Sequence, residues 1–200
     1  MSKTIKTIFE VEAKAIGNIP INQSYEKALD LIYKQVHKNC GKVITSGMGK
    51  AGQIAINIAT TFSSTGTPSI FLHPSDAQHG DLGIIQEHDV LFLISNSGKT
   101  REITELVQLA KNLYPKLPTI VLTSIANSPL AVSADVVIET GNPAEVCPLG
   151  LAPTTSTTVM TVIGDALVVC MMKRIQFSAK DYALRHHGGY LGDKSRQAKG

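Results

Sequence analysis

The chain predicts an α/β fold, a doubly wound five-stranded parallel sheet flanked by helices in a three-layer sandwich. Two observations carry that expectation. Five short runs rich in β-branched residues alternate with helical patterns, and those runs are apolar at consecutive positions, as in strands covered by helices on both faces. Two helices come first, over about 3–16, ended by Gly17 and Pro20, and over about 24–39, ended by Gly41. The strands follow as KVITS (42–46), PSIFLH (68–73), DVLFLIS (89–95), PTIVLTS (118–124) and DVVIE (135–139). Between them lie the helical patterns GQIAINIATTF and REITELVQLAKNLY and the short SPLAVSA, and a long helix over about 155–174 closes the set. The polar, Gly-flanked residues 193–200 read as a disordered tail, which leaves 1–192 as one domain with N-terminal helices.

Composition narrows the partners. A net charge of +3 with scattered Lys and Arg gives no electrostatic footprint for nucleic acid or a membrane surface, so small molecules are the expected ligands. Cys40, Cys147 and Cys170 share no paired spacing, and the charged N-terminus builds no signal-peptide core, which points to a reducing, cytoplasmic setting. The apolar segment VMTVIGDALVVCMM is interrupted by Gly164 and Asp165 and is shorter than the roughly 20 residues a membrane span needs. It reads as a buried helix.

In a doubly wound sheet, ligands gather at the carboxyl ends of the strands. The loop after the first strand, TSGMGKAG (45–52), carries Gly47-x-Gly49-x-x-Gly52, a turn that lets backbone amides approach an anion at a helix start. A dinucleotide would also ask for an acid at the tip of the second strand; Leu72 and His73 stand there, and only the nearby Asp76 keeps that reading open. Lys50 inside the turn suits a smaller anionic ligand. After the third strand comes SNSGKTRE (95–102). Its GKT imitates a P-loop, but the pattern requires glycine at position 93, which is leucine. What remains is Ser95, Asn96, Ser97, Gly98 and Thr100 at a helix start, three hydroxyls around a glycine where capping alone needs one. That suits a phosphate monoester. The long loops after strands two and five carry His73, His79, Asp81 and Glu145. A zinc reading of His73, His79 and Cys147 matches no common ligand spacing, so no metal is expected.

The stretches SGMGKAG, TGTPSIFLHPSDAQHGDLG, LISNSGKTREI, EVCPLGLAPTTSTTVMTVIGDALVV and FSAKDYALRHHGGYLG together resemble the arabinose-5-phosphate isomerases of the sugar-isomerase (SIS) domain superfamily, over about 24–192. The resemblance implies interconversion of D-arabinose 5-phosphate and D-ribulose 5-phosphate, feeding 3-deoxy-D-manno-octulosonate (Kdo) synthesis for lipopolysaccharide or capsule. It also implies a homotetramer with sites where subunits meet, and no cofactor. Two departures stand out: Lys99 and His187 occupy positions where many members have glutamate and proline, and the sequence ends at Gly200 without the paired CBS modules typical of the family. With no such modules expected, an end product such as CMP-Kdo is the expected feedback ligand, its anionic groups using residues 95–100.

Aldose–ketose isomerisation needs a base for a carbon-bound proton, a group to stabilise the enediolate oxygen, and proton traffic between two oxygens. The resemblance places these roles on Lys50, Glu102, Glu145 and His186, with His79 as a further substrate contact. Glu145 is the leading base, with a proton affinity expected to be raised by partial burial. His186 would open the sugar ring or relay protons, Lys50 would stabilise the oxyanion, and Glu102 would orient Lys50. Each has a structural alternative: Glu102 sits where any acid favours a helix dipole, and His186 could cap the preceding helix.

Overall fold

Successive side chains of a strand point to opposite faces, so one buried strand feeds two cores. The computed structural model describes residues 1–197. The chain opens with α1 (Ser2–Gly17) and α2 (Ser24–Ile32), which continues as a wider π-helical turn over Tyr33–Lys38. Then come β1 (Val43–Gly47), α3 (Gly49–Ser64), β2 (Ser69–Phe71), the one-turn α4 (Pro74–Ala77) and a 3-10 turn over Asp81–Ile84. They are followed by β3 (Val90–Ile94), α5 (Arg101–Leu113), β4 (Thr119–Thr123), the one-turn α6 (Pro129–Val132), β5 (Val136–Glu139) and α7 (Thr155–Arg174). Two short helices, α8 (Ala179–Ala183) and α9 (Gly189–Gln197), end the described chain.

All strand pairs are parallel, in the order β2-β1-β3-β4-β5. In β3, Val90, Phe92 and Ile94 join the core beneath α2, α3 and α7, while Leu91 and Leu93 join the core beneath α5. The helices supply matching stripes. Ala55, Ile58 and Phe62 of α3 enter the first core, and Ile103, Leu106, Val107 and Ala110 of α5 enter the second at helical spacing. Central strands β1, β3 and β4 are buried throughout; β2 and β5, at the edges, are partly exposed.

Three expectations change. Gly41 does not provide the left-handed stop after α2: Cys40 takes that conformation (φ +59°), and Gly41 is required because a β-carbon there would overlap the His88 carbonyl. The segment read as a tail from 193 is helical to Gln197, in α9; residues 198–200 lie outside the described residues. Finally, the 20-residue α7 is long and apolar enough to cross a membrane by length and composition, unlike the interrupted segment read from sequence. Half of its most apolar window is buried inside the fold, where α3, α1 and α2 pack on it. Gly164 makes the α3 contact possible, since a β-carbon there would overlap Ile58.

Candidate active site

The strand order reverses between β1 and β3, because β2 lies on one side of β1 while β3, β4 and β5 continue on the other. A doubly wound sheet opens a crevice at such a switch point, outside the carboxyl ends of the strands. Here that crevice is a cavity of about 250 Å³ lined by Met48, Lys50, Ile94, Ser95, Asn96, Ser97, Thr100, Ser156 and Thr157, among others.

Two loops shape its floor. In the β1–α3 turn, a β-carbon at Gly47 would stand 2.9 Å from the Ala51 carbonyl, and one at Gly52 would be 2.6 Å from the Gly47 oxygen, so both glycines permit close strand–helix packing. Gly49 supplies the left-handed step at φ +58°. Gly47 and Gly49 therefore form the turn, and Lys50 in the first turn of α3 lines the cavity. In the β3–α5 loop, the Ser95 hydroxyl is buried, lies 2.8 Å from the Thr100 hydroxyl and accepts the Gly98 amide at 3.1 Å. Ser97 accepts the Lys99 amide at 3.2 Å. Gly98 turns left-handed (φ +60°) within this loop.

Three helices begin at the cavity, which is lined by Lys50 in the first turn of α3, by Thr100 just before α5 and by Ser156 in the first turn of α7. Their amide ends carry partial positive charge. Neither α3 nor α5 has a side-chain cap, so an anion in the cavity can take their first-turn amides together with the Lys50 ammonium and the loop hydroxyls.

At α7 the anion is already present. Glu145 Oε2 accepts the Thr154 amide at 2.7 Å, the Thr154 hydroxyl at 2.9 Å and the Ser156 amide at 3.3 Å. The expected rise in its proton affinity is therefore overturned. Burial pushes the Glu145 carboxyl up, but the combined hydrogen bonds from Ser156 and Thr154 outweigh burial and hold it below the usual carboxylate range. The same loop is closed by the Ala152 amide, which donates to Cys147 Sγ at 3.2 Å.

The remaining sequence candidates lie apart. Glu102 is half-buried in the first turn of α5, next to the loop but not in the cavity lining. His79 is exposed beyond α4. His186 stacks on Tyr182 (ring centroids 3.7 Å apart), with Nδ1 3.0 Å from the Tyr182 carbonyl. Its neighbour Arg185 lines a hollow on the flank of α3 with Ile56, Thr60 and Ser63, beside the β2 edge. A single copy of the chain thus brings together Lys50, Ser95, Asn96, Ser97 and Thr100, sets Glu145 beside them through Ser156, and does not place His186 in the lining. Asp76, the acid that kept a dinucleotide in view, lies 3.6 Å from His73 in a separate hollow. Among the described residues, no group of three His, Cys, Asp or Glu side chains is placed to hold a metal. Sequence reasoning did not single out Ser156 and Thr157; the TTSTT run at a helix start was their signal.

The SIS domain family model matches residues 38–170. Among curated relatives, the chain is 45% identical to the arabinose 5-phosphate isomerase KdsD of Salmonella typhi over 192 residues, which cover 94% of this chain and 56% of that protein. The chain thus spans about half the length of the curated relatives it matches. Two solved structures align along nearly their whole length. A candidate phosphosugar isomerase involved in capsule formation from Bacteroides fragilis is 64% identical, covering 95% of this chain and 99% of that one, with a TM-score of 0.94. The Escherichia coli CFT073 protein c3406, in complex with arabinose 5-phosphate, is 40% identical, covering 91% and 95%, with a TM-score of 0.82. With the fold, the switch-point cavity and the family model in agreement over most of its length, the chain belongs to the SIS domain family.

Proposed function

We propose that the protein is an aldose–ketose isomerase that interconverts D-arabinose 5-phosphate and D-ribulose 5-phosphate through an enediolate, in the cytoplasm, and supplies Kdo synthesis for lipopolysaccharide or capsule. The observation that carries the reading is the convergence of the uncapped N-termini of α3 and α5, Lys50 and the hydroxyls of Ser95, Ser97 and Thr100 on one small cavity, with Glu145 held at the start of α7 beside it. Such an array recognises a compact anion such as a sugar phosphate. Relatives named as arabinose 5-phosphate isomerases, and the sugar-phosphate complex of a 40% identical protein, support the choice of sugar.

In this reading Ser95, Asn96, Ser97, Gly98 and Thr100 hold the phosphate, and the Gly47 and Gly49 turn presents Lys50 to the reacting end. Glu145 takes the proton from the second carbon of the open-chain aldose. Lys50, oriented by Glu102, faces the oxygen on which the enediolate charge gathers, and the proton returns at the first carbon as the carbonyl moves to the second. His186 opens the ring and carries the proton between the two oxygens, while His79 contacts sugar hydroxyls. Because His186 is away from the cavity of its own chain, it would serve the site of a neighbouring copy. A homotetramer with shared sites is therefore part of the proposal. Neither metal nor cofactor enters these steps. CMP-Kdo, with its own phosphate and carboxylate, would compete at the same loop.

The test is incubation with arabinose 5-phosphate in deuterated water with chelator present, followed by NMR. Ribulose 5-phosphate carrying deuterium at its first carbon is expected. Binding of arabinose 5-phosphate without turnover would instead favour another phosphosugar as substrate, or a sugar-phosphate sensor.

A further inference from the structure

We propose that Thr154 is a positioning residue of the reaction centre, one that fixes the Glu145 carboxylate at the mouth of α7 and sets how readily it takes a proton. The inference rests on the reading of Glu145 as the base. Thr154 occupies the N-cap position of α7, where a threonine side chain ordinarily accepts an amide of the first turn. Here the hydroxyl does the opposite. It donates outward to Glu145 Oε2 at 2.9 Å, its own backbone amide donates to the same oxygen at 2.7 Å, and Glu145 in turn accepts the Ser156 amide that a cap would take. The capping function has passed to a residue nine positions earlier, with Thr154 as the clamp.

The clamp is itself braced. The Thr154 carbonyl accepts the Thr157 hydroxyl at 2.7 Å and the Thr158 amide at 3.0 Å. The Thr158 hydroxyl lies 3.0 Å from Glu12 Oε2, which ties α1 to the same turn. Thr154 is thus held by α7, and α7 by α1, so the carboxylate is presented from rigid elements although it sits in a loop.

The chemistry follows from which form is bonded. Donors to the carboxylate stabilise its charged form, so they keep Glu145 ionised and aimed while lowering its basicity. Charged and titratable groups on the surrounding elements are Glu12 and Lys14 of α1, Glu139 at the end of β5, Cys147 in the same loop and Lys50 across the cavity. Among the described residues none of them pairs with Glu145, whose bonds all come from Thr154 and Ser156. Thr154 and Ser156 are therefore the side chains that can tune it, and Thr154 is the one whose hydroxyl and amide both close on the same carboxylate oxygen.

Thr154→Val removes the hydroxyl and keeps the amide; Thr154→Ser keeps both. The pH dependence of kcat and KM for arabinose 5-phosphate is measured for both variants, with thermal melts to establish folding and Glu145→Gln as the control. For Thr154→Val the acid limb of kcat is expected to move up by on the order of one pH unit, as one charge-assisted hydrogen bond is worth. Turnover falls roughly 10- to 100-fold from lost alignment, KM changes little because the phosphate is held elsewhere, and Thr154→Ser restores both readouts. If Glu145→Gln is inactive but folded Thr154→Val keeps the wild-type pH profile and kcat, the positioning role is wrong and the base reading stands. If Glu145→Gln turns over normally, the base reading fails and takes this proposal with it.

Discussion

Gly98 and Ser128 touch with no space between them for a β-carbon: one built on Gly98 would overlap the Ser128 hydroxyl. Ser128 cannot simply turn away, because its oxygen accepts the Ala131 amide at 3.3 Å as the cap of α6, and the Gly98 carbonyl accepts the Leu130 amide at 3.2 Å. The one-turn α6 is thus a buttress that sets the shape of the β3–α5 loop. Gly98→Ala adds a collision to a left-handed backbone, and a loss of roughly 2–4 kcal/mol is expected. Thermal melting checks the stability, and a raised KM for the sugar phosphate checks the loop; a variant normal in both would mean that the loop yields easily.

Lys50 is exposed, and its contribution should separate cleanly from folding. Lys50→Met is expected to lower turnover on the order of 10²- to 10³-fold, the range for losing one oxyanion donor. The melting temperature should be unchanged. Equal turnover in the variant would place the oxyanion elsewhere.

Glu145 caps α7 and, in the proposed mechanism, is also the base. Glu145→Gln is expected to reduce turnover about 10²- to 10⁴-fold as a missing base, and to lower stability by about 1 kcal/mol as a weakened cap. The pH dependence gives the sign. Because the folded carboxyl lies below its usual value of 4.5, the charged form stabilises the native state above that value, and the contribution fades as pH falls through the folded value. Urea titrations at neutral pH and in the acid range should show the wild-type advantage present at the first and lost at the second.

The proposed sharing of sites between copies predicts complementation. Lys50→Ala and His186→Ala are each expected to be inactive alone, yet to recover turnover when co-unfolded and refolded together, since some mixed assemblies would carry an intact Lys50 beside an intact His186. Absence of recovery in verified mixed assemblies would confine the site to one chain and leave His186 as a partner of Tyr182 only.

Asp89, completely buried, ties the entry of β1 to that of β3. Its carboxylate accepts the Lys42 amide at 2.9 Å and the Gln86 amide at 2.7 Å, and pairs with Lys42 Nζ at 2.8 Å. Asp89→Ala leaves those part-buried donors unmet and should cost roughly 2–4 kcal/mol. Denaturant unfolding gives the number, and a loss below about 0.5 kcal/mol, the surface range, would show that water replaces the carboxylate.

Local chemistry determined much of this molecule. The β-branched runs fixed all five strands to within a residue or two, because strands covered on both faces must be apolar at consecutive positions, as Val90 to Ile94 are. The glycine spacing and the hydroxyls of residues 95–100 marked two of the loops that line the cavity, since a tight turn beside an anion restricts residue type. What tertiary structure decided lay in relationships across the chain. The direction of the Glu145 shift depended on Thr154 and Ser156, nine and eleven positions away, whose amides become available only where α7 begins. Gly41 is needed for the close approach of the His88 carbonyl from another element rather than for the left-handed stop, which Cys40 takes. That His186 stacks on Tyr182 and is not in the cavity lining that holds Lys50 is likewise a matter of tertiary placement that no spacing in the sequence encodes.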